Sequence, residues 1–170
     1  GIIGLGAIGA LVANAAIALG MQVVGTDPFL SVGAALRLNP AVKIVKDSDG
    51  VFAAADYLTI HVPFNNDTKG MINAETIAKM KDGVRVLNYA RGELVNDDDM
   101  LAALASGKVT CYCTDFPNEK TCNAEGIIAT PHLGASTPES EENCASMAAE
   151  ELISYLETGN IRNSVNLPNA

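Results

Sequence analysis

The run Gly4-Leu5-Gly6-Ala7-Ile8-Gly9 constrains this chain more than any other segment. The three glycines follow the short apolar stretch Gly1-Ile2-Ile3. They precede Ile8, Leu11, Val12, Ala15 and Leu19, apolar positions that recur every three or four residues until Gly20. A strand turning sharply into an amphipathic helix satisfies all of this at once. The first glycine permits a tight turn, the second lets backbone approach a phosphate, the third lets helix and strand pack closely, and Gly20 supplies the helix stop. The helix start offers free N–H groups to an anion. Three glycines alone mark no more than a turn, but here the next apolar run ends in Asp27, eighteen residues beyond Gly9. A carboxylate at that point accepts hydrogen bonds from the ribose hydroxyls of a dinucleotide and repels a 2'-phosphate, which favours NAD over NADP. Without the glycines, Asp27-Pro28 reads only as a strand-ending turn.

The rest of the chain repeats the same alternation. Strands are predicted near 1–4, 21–26, 42–45, 57–62, 84–88, 109–114 and 126–130, and their near-continuous apolarity suits a parallel sheet covered on both faces. A second clear helix starts at the cap pair Thr137-Pro138 and carries Cys144, Met147, Ala148, Leu152, Tyr155 and Leu156 on one stripe. Strands and crossovers in series lead to an α/β fold with a doubly wound parallel sheet. Residues 1–158 form this domain, and 159–170, with the late Pro168, read as a tail leaving it. Only three residues precede Gly4 where a strand has about five or six, so the chain is expected to begin in mid-strand.

Composition narrows the partners. Eleven Lys+Arg against twenty Asp+Glu give a net charge of -9, the wrong sign for neutralising nucleic-acid phosphates or an anionic membrane. The longest apolar stretch, Ala10 to Leu19, is broken by Asn14 and is too short to span a bilayer, and the N-terminus has no basic region of the secretory kind. Cys111 and Cys113 alternate within an apolar run and point to one side of a strand. Cys122, His132 and Cys144 lack metal-ligand spacing. The four cysteines read as reduced packing residues of a cytoplasmic protein, and no metal is expected.

Candidate chemistry lies at predicted strand ends, where ligands of open α/β sheets collect. Asn88-Tyr89-Ala90-Arg91-Gly92 ends one strand. A single Arg often lies along a surface, but one at this position suits two parallel hydrogen bonds to a carboxylate. Asp115-Phe116-Pro117-Asn118-Glu119 and the run Thr130 to Thr137, which contains His132, follow the next two strands. A Glu and a His on adjacent strand-end loops can pair, which raises the His pKa and fixes its tautomer. His61-Val62-Pro63 also ends a strand but has no acid nearby in sequence, so that segment is expected to line the cofactor through its backbone.

In order and spacing, these motifs resemble the NAD-binding domain of the D-isomer-specific 2-hydroxyacid dehydrogenases over nearly the whole chain. The resemblance implies that Arg91 binds the substrate carboxylate and carbonyl, that His132 is the general acid/base, and that Glu119 is its carboxylate partner. It implies that Asp115 contacts the nicotinamide carboxamide. Gly4, Gly6, Ala7, Ile8, Gly9, Asp27, Val62, Pro63, Tyr89, Ala90, Arg91, His132 and Gly134 would line the cofactor. Two departures stand out: Glu119 comes four residues after Asp115 where the family has five, and Lys120 follows where a proline is usual. Glu125 is therefore the fallback for Glu119.

Within the family, the run from His132 to Cys144 and the ending Asn163 to Pro168 most resemble the branch that oxidises 3-phosphoglycerate on the way to serine. Hydroxypyruvate or glycerate reduction, or another D-2-hydroxy acid, shares every motif. A co-repressor-like scaffold that senses NADH is the reading from another class. The resemblance further implies a substrate-binding domain that this chain lacks, a small 2-hydroxy or 2-keto acid as substrate, and a homodimer.

Overall fold

The computed structural model describes residues 1–164. It falls into two compact units, Gly1–Pro131 and the residues from His132 onward.

The described residues of the first unit form a seven-stranded sheet in the order β3-β2-β1-β4-β5-β6-β7, with every pair parallel. The strands are β1 (Ile2–Ile3), β2 (Val24–Thr26), β3 (Lys43–Ile44), β4 (Tyr57–Ile60), β5 (Val84–Asn88), β6 (Val109–Thr114) and β7 (Ile127–Ala129). Between them lie α1 (Ala7–Ala18), α2 (Val32–Ala35), α3 (Ser48–Ala54), α4 (Ala74–Ala78) and α5 (Asp97–Ala105), with a 3-10 turn at Gly92–Leu94. The doubly wound sheet is thus the expected one, with β5 and β6 at the predicted limits. β4 stops at Ile60, short of the predicted 62. His61 still donates its N–H to the Ile3 carbonyl at 2.7 Å, but Pro63 has no N–H to carry the ladder further.

Ile2 and Ile3 point to opposite sides of β1 and join two different cores. On one side α1 covers Ile2, Leu5 and Val23 through Ala13 and its neighbours. On the other, Leu58, Ile60, Val84, Val86 and Tyr112 pack against Val51 and Phe52 of α3, Ile77 of α4, and Met100 and Ala103 of α5. Each large buried side chain stabilises the fold by roughly 1.5–3 kcal/mol, so these strands form the rigid base beneath the site.

Two expectations are corrected. The buried face of α1 carries Gly9 and Ala13, whereas Ile8, Leu11 and Leu19 of the expected stripe are 66%, 70% and 81% exposed. A helix apolar nearly all round has little periodic contrast, and the close approach of α1 to the sheet selects its small residues. Nor is the sheet covered on both faces throughout. Tyr57 and Arg85 lie exposed on the same side as Ile2, with the Arg85 guanidinium 5.1 Å from the Tyr57 ring centroid. Cys111 and Cys113 are half-buried and free, their sulfurs 3.7 Å apart on one side of β6 as expected.

The second unit contains α6 (Pro138–Thr158). The Thr137 hydroxyl accepts the Ser140 N–H at 3.2 Å, and Gly159 ends the helix at φ 70°. Thr137 is the predicted N-cap, and Pro138 the predicted first-turn residue. No residue of α6 is buried, so its apolar stripe is exposed. Pro168 and the end of the Asn163 to Pro168 run lie outside the described residues. Among the described residues, no helix is long and apolar enough to cross a membrane.

Candidate active site

Strand order reverses between β1 and β4, and the crevice outside their carboxyl ends is where an open α/β sheet takes its ligand. Gly4 ends β1 at φ +91°, and a Cβ there would lie 2.5 Å from the His61 carbonyl oxygen. Gly9 meets Gly4 on the other side, where any Cβ would run into the Gly4 carbonyl oxygen. Both positions therefore exclude a side chain for reasons internal to the fold. Gly6 differs: nothing lies within 4 Å of the place a Cβ would take.

The open space at Gly6 faces the start of α1, and Gly6 is its N-cap without a side-chain cap. The other helices are capped by the side chains of Ser31, Asp47, Asn73, Asn96 and Thr137. The first N–H groups of α1 are thus left for an anion, and the vacant side of Gly6 lets its backbone be approached. This fits a pyrophosphate. Asp27 follows β2, with Oδ2 accepting the Leu5 N–H at 2.9 Å and Oδ1 accepting the Phe29 N–H at 2.8 Å. A carboxylate has about four lone-pair positions, so two remain for ribose hydroxyls while the backbone bonds hold the group beside the glycine loop.

A cavity of about 480 Å³ opens at the same crevice, lined by Ile8 from the first turn of α1, His61 to Phe64 after β4, and Tyr89, Ala90, Arg91 and Glu93 after β5. The expected Ile8, Val62, Pro63, Tyr89, Ala90 and Arg91 thus share one wall. Sequence reasoning missed Phe64 and Glu93, whose only signal was proximity to the motifs. The His61 ring is hydrogen-bonded to the Thr59 hydroxyl, with Nε2 3.0 Å from Oγ1, and burial holds its pKa below the ordinary value. Its imidazole is therefore neutral near pH 7. Tyr89 has its phenol pKa raised by burial and, secondarily, by the nearby Cys113 and Asp115.

Arg91 is exposed, and Nη1 donates to the Ala90 carbonyl at 2.6 Å. Its backbone carbonyl is held by Asn88 Nδ2 at 2.8 Å. Asp115 and Phe116 follow β6 and are half-buried. Beyond them Asn118 donates to Asp97 at 2.7 Å, and Lys120 reaches Asp98 at 2.7 Å. The lysine at the usual proline position therefore ties this loop to the acidic first turn of α5. Glu119 sits exposed between these two anchors.

Glu125 takes no part in this arrangement. It lies with Gly107, Val109 and Thr110 around the starts of β6 and β7, at the opposite end of the strands from Arg91 and Asp115. His132 and Gly134 belong to the second unit, where both are exposed. Among the described residues, no group of three or more His, Cys, Asp or Glu is placed to hold a metal ion.

Residues 1–134 match the family described as "D-isomer specific 2-hydroxyacid dehydrogenase, NAD binding domain". The chain is 38% identical over 174 residues to the D-3-phosphoglycerate dehydrogenase of Bacillus subtilis (strain 168), covering 99% of this chain and 33% of that protein. It is 35% identical over 165 residues to a hydroxypyruvate reductase of Thermotoga maritima, covering 92% of this chain and 52% of the relative. Among solved structures, a glyoxylate reductase from Paecilomyes thermophila superposes with a TM-score of 0.84 at 30% identity, covering 99% of this chain and 52% of that one. A D-lactate dehydrogenase with NAD+ from Lactobacillus jensenii gives 0.78 at 26%, covering 90% and 51%. The chain thus spans about a third of the length of the phosphoglycerate dehydrogenases it matches.

Proposed function

The chain belongs to the D-isomer specific 2-hydroxyacid dehydrogenase family as its NAD-binding domain, and from that premise we propose that it serves an NAD-dependent oxidation of 3-phosphoglycerate to 3-phosphohydroxypyruvate. The observation that carries the reading is the single cavity shared by Ile8, at the dinucleotide end of α1, and Arg91, the candidate substrate cation. The phosphoglycerate branch is favoured by the relatives of that name at 34–38% identity over nearly all of this chain.

NAD, when bound, supplies the two-electron hydride acceptor. The chain's own residues do the rest. The uncapped start of α1 and the bare face of Gly6 receive the pyrophosphate, and Asp27 receives the ribose. Arg91 swings off the Ala90 carbonyl to hold the substrate carboxylate by paired N–H bonds and to stabilise the developing carbonyl. His132 takes the hydroxyl proton, and Glu119 keeps the imidazole basic enough to do so. These two assignments are what the resemblance to the family implies. Among the described residues, Arg91 is the one Lys or Arg lining a cavity that also carries Glu93, which supports a substrate phosphate met by cations of a substrate-binding domain. Cys111 and Cys113, side by side without a disulfide, suit a reducing cytoplasm. A homodimer is the proposed assembly.

The test is NADH oxidation by the full-length protein with 3-phosphohydroxypyruvate, hydroxypyruvate and glyoxylate. The highest kcat/KM is expected for the phosphorylated acid. A preference for hydroxypyruvate moves the assignment to the reductase branch, as does any larger rate with glyoxylate. Negligible turnover accompanied by NADH-dependent assembly overturns the enzymatic reading in favour of a nucleotide-sensing scaffold.

A further inference from the structure

Behind Arg91 lies a line of buried polar groups that the proposed chemistry does not use. Asn88, the last residue of β5, is fully buried. Its Nδ2 donates to the Arg91 carbonyl at 2.8 Å and to the Tyr112 hydroxyl at 3.3 Å, while its Oδ1 accepts the Ala90 N–H at 3.2 Å. A buried amide left unpaired destabilises the fold, so some set of partners is required. Here the partners include two peptide groups of the loop, which fixes the backbone on both sides of the Ala90 to Arg91 link.

The line continues on the neighbouring strand. Tyr112, 2% exposed, accepts the Asn88 amide through its hydroxyl. The Thr114 hydroxyl accepts the Phe116 N–H at 3.1 Å. Asn88 and Thr114 are register partners in the β5–β6 pair. Hydrogen bonds therefore run from the Arg91 peptide through Asn88 to Tyr112, and from the Phe116 peptide to Thr114, the register partner of Asn88. The two loops also touch directly, since a Cβ on Gly92 would lie 3.2 Å from the Phe116 Cβ.

We propose that Asn88 and Tyr112 are positioning residues that lock the peptide of Arg91 in register with the loop carrying Asp115 and Glu119. The inference rests on the reading of Arg91 as the carboxylate-binding cation and adds what holds it there. Arg91 is exposed and its side chain is long, so the aim of its guanidinium depends on the backbone from which it starts. That backbone has no regular ladder at residues 89–91, and the buried amide of Asn88 supplies the constraint.

The test is a pair of cycles in the full-length enzyme, combining Tyr112→Phe and Asn88→Ser each with Arg91→Ala. Readouts are kcat/KM for the keto acid, NADH affinity and thermal unfolding. Tyr112→Phe removes one hydroxyl and keeps the ring in the core. Because misplacing a reacting group by about 1 Å costs on the order of a hundredfold, kcat/KM is expected to fall about tenfold in Tyr112→Phe and up to about a hundredfold in Asn88→Ser. NADH affinity should change by a smaller factor. Both losses should vanish when Arg91 is already Ala. The proposal is overturned if kcat/KM is unchanged, or if the same loss persists in the Arg91→Ala background, since the residues then act through something other than Arg91. If Asn88→Ser fails to fold, the Tyr112→Phe cycle decides alone. Full turnover by Arg91→Ala itself overturns the assignment of Arg91, a result read directly from the single variant.

Discussion

Gly9 sits so close beneath Gly4 that any side chain on it would strike the Gly4 carbonyl oxygen, whereas Gly6, between them in sequence, faces open space. One motif thus combines two kinds of glycine, one that packing excludes from carrying a side chain and one that packing leaves free.

That difference separates stability from binding. Gly9→Ala forces backbone against backbone and should lower stability by about 1–3 kcal/mol, the usual cost of overpacking. Gly6→Ala has room and an ordinary φ of -68°. Its stability should stay within about 0.5 kcal/mol of the parent, yet its added methyl occupies the space of the pyrophosphate and should abolish NADH binding. Thermal unfolding and NADH fluorescence titration of the two variants check this. Equal loss of melting temperature in both would refute it.

Asp27 holds two backbone N–H groups, one of them in the glycine loop. Asp27→Ala removes those acceptors together with the group meant for the ribose. Hydrogen bonds to a charged group are worth about 1.5–3 kcal/mol, roughly ten- to a hundredfold in affinity, so NADH binding should weaken by that order. NADPH should lose much less, because the negative charge that repels its 2'-phosphate goes too. Parallel titrations with the two nucleotides measure the ratio, and an unchanged ratio would show that Asp27 sets no preference.

Much of this was legible because it is local. The glycine spacing, the Asp after β2, and the Asn88 to Gly92 run at a strand end are each set by backbone geometry that a sequence pattern reports. The Thr137-Pro138 cap is another such case. The facing of α1 was not legible, because apolar residues surround it and periodicity has nothing to select. The role of Asn88 was hidden for a different reason: its partners are a peptide three residues on and a phenol on the next strand, and no local pattern encodes that pairing. Lys120 read only as a departure, and its meaning came from the acidic start of α5 that it reaches across the loop.

The corrected facing of α1 has its own consequence. Ala13 is fully buried against Ile2 and Leu5, and Leu11 is 70% exposed. Ala13→Leu should therefore destabilise the domain by about 1–3 kcal/mol, and Leu11→Gln should shift it by less than about 0.5 kcal/mol. Urea unfolding of the 170-residue chain measures both. The opposite order would restore the stripe that the sequence alone suggests.

His61 gives the fold a dependence on acid. Its ring is partly buried at the switch point, hydrogen-bonded to Thr59, and burial holds its pKa below the ordinary 6.5. In the unfolded chain the imidazole takes up a proton as pH falls through about 6.5, while the folded chain resists until a lower pH. The unfolded state then binds more protons, so stability falls as pH drops through that window and is fully present above it. His61→Gln keeps a side chain able to bond Thr59 but has no proton to take up. Between about pH 7.5 and pH 5 the parent should lose more melting temperature than His61→Gln. Groups that titrate in both proteins cancel in the comparison. Parallel melting curves across that range would mean that the imidazole charges as readily in the fold as in water, and that burial does not hold it neutral.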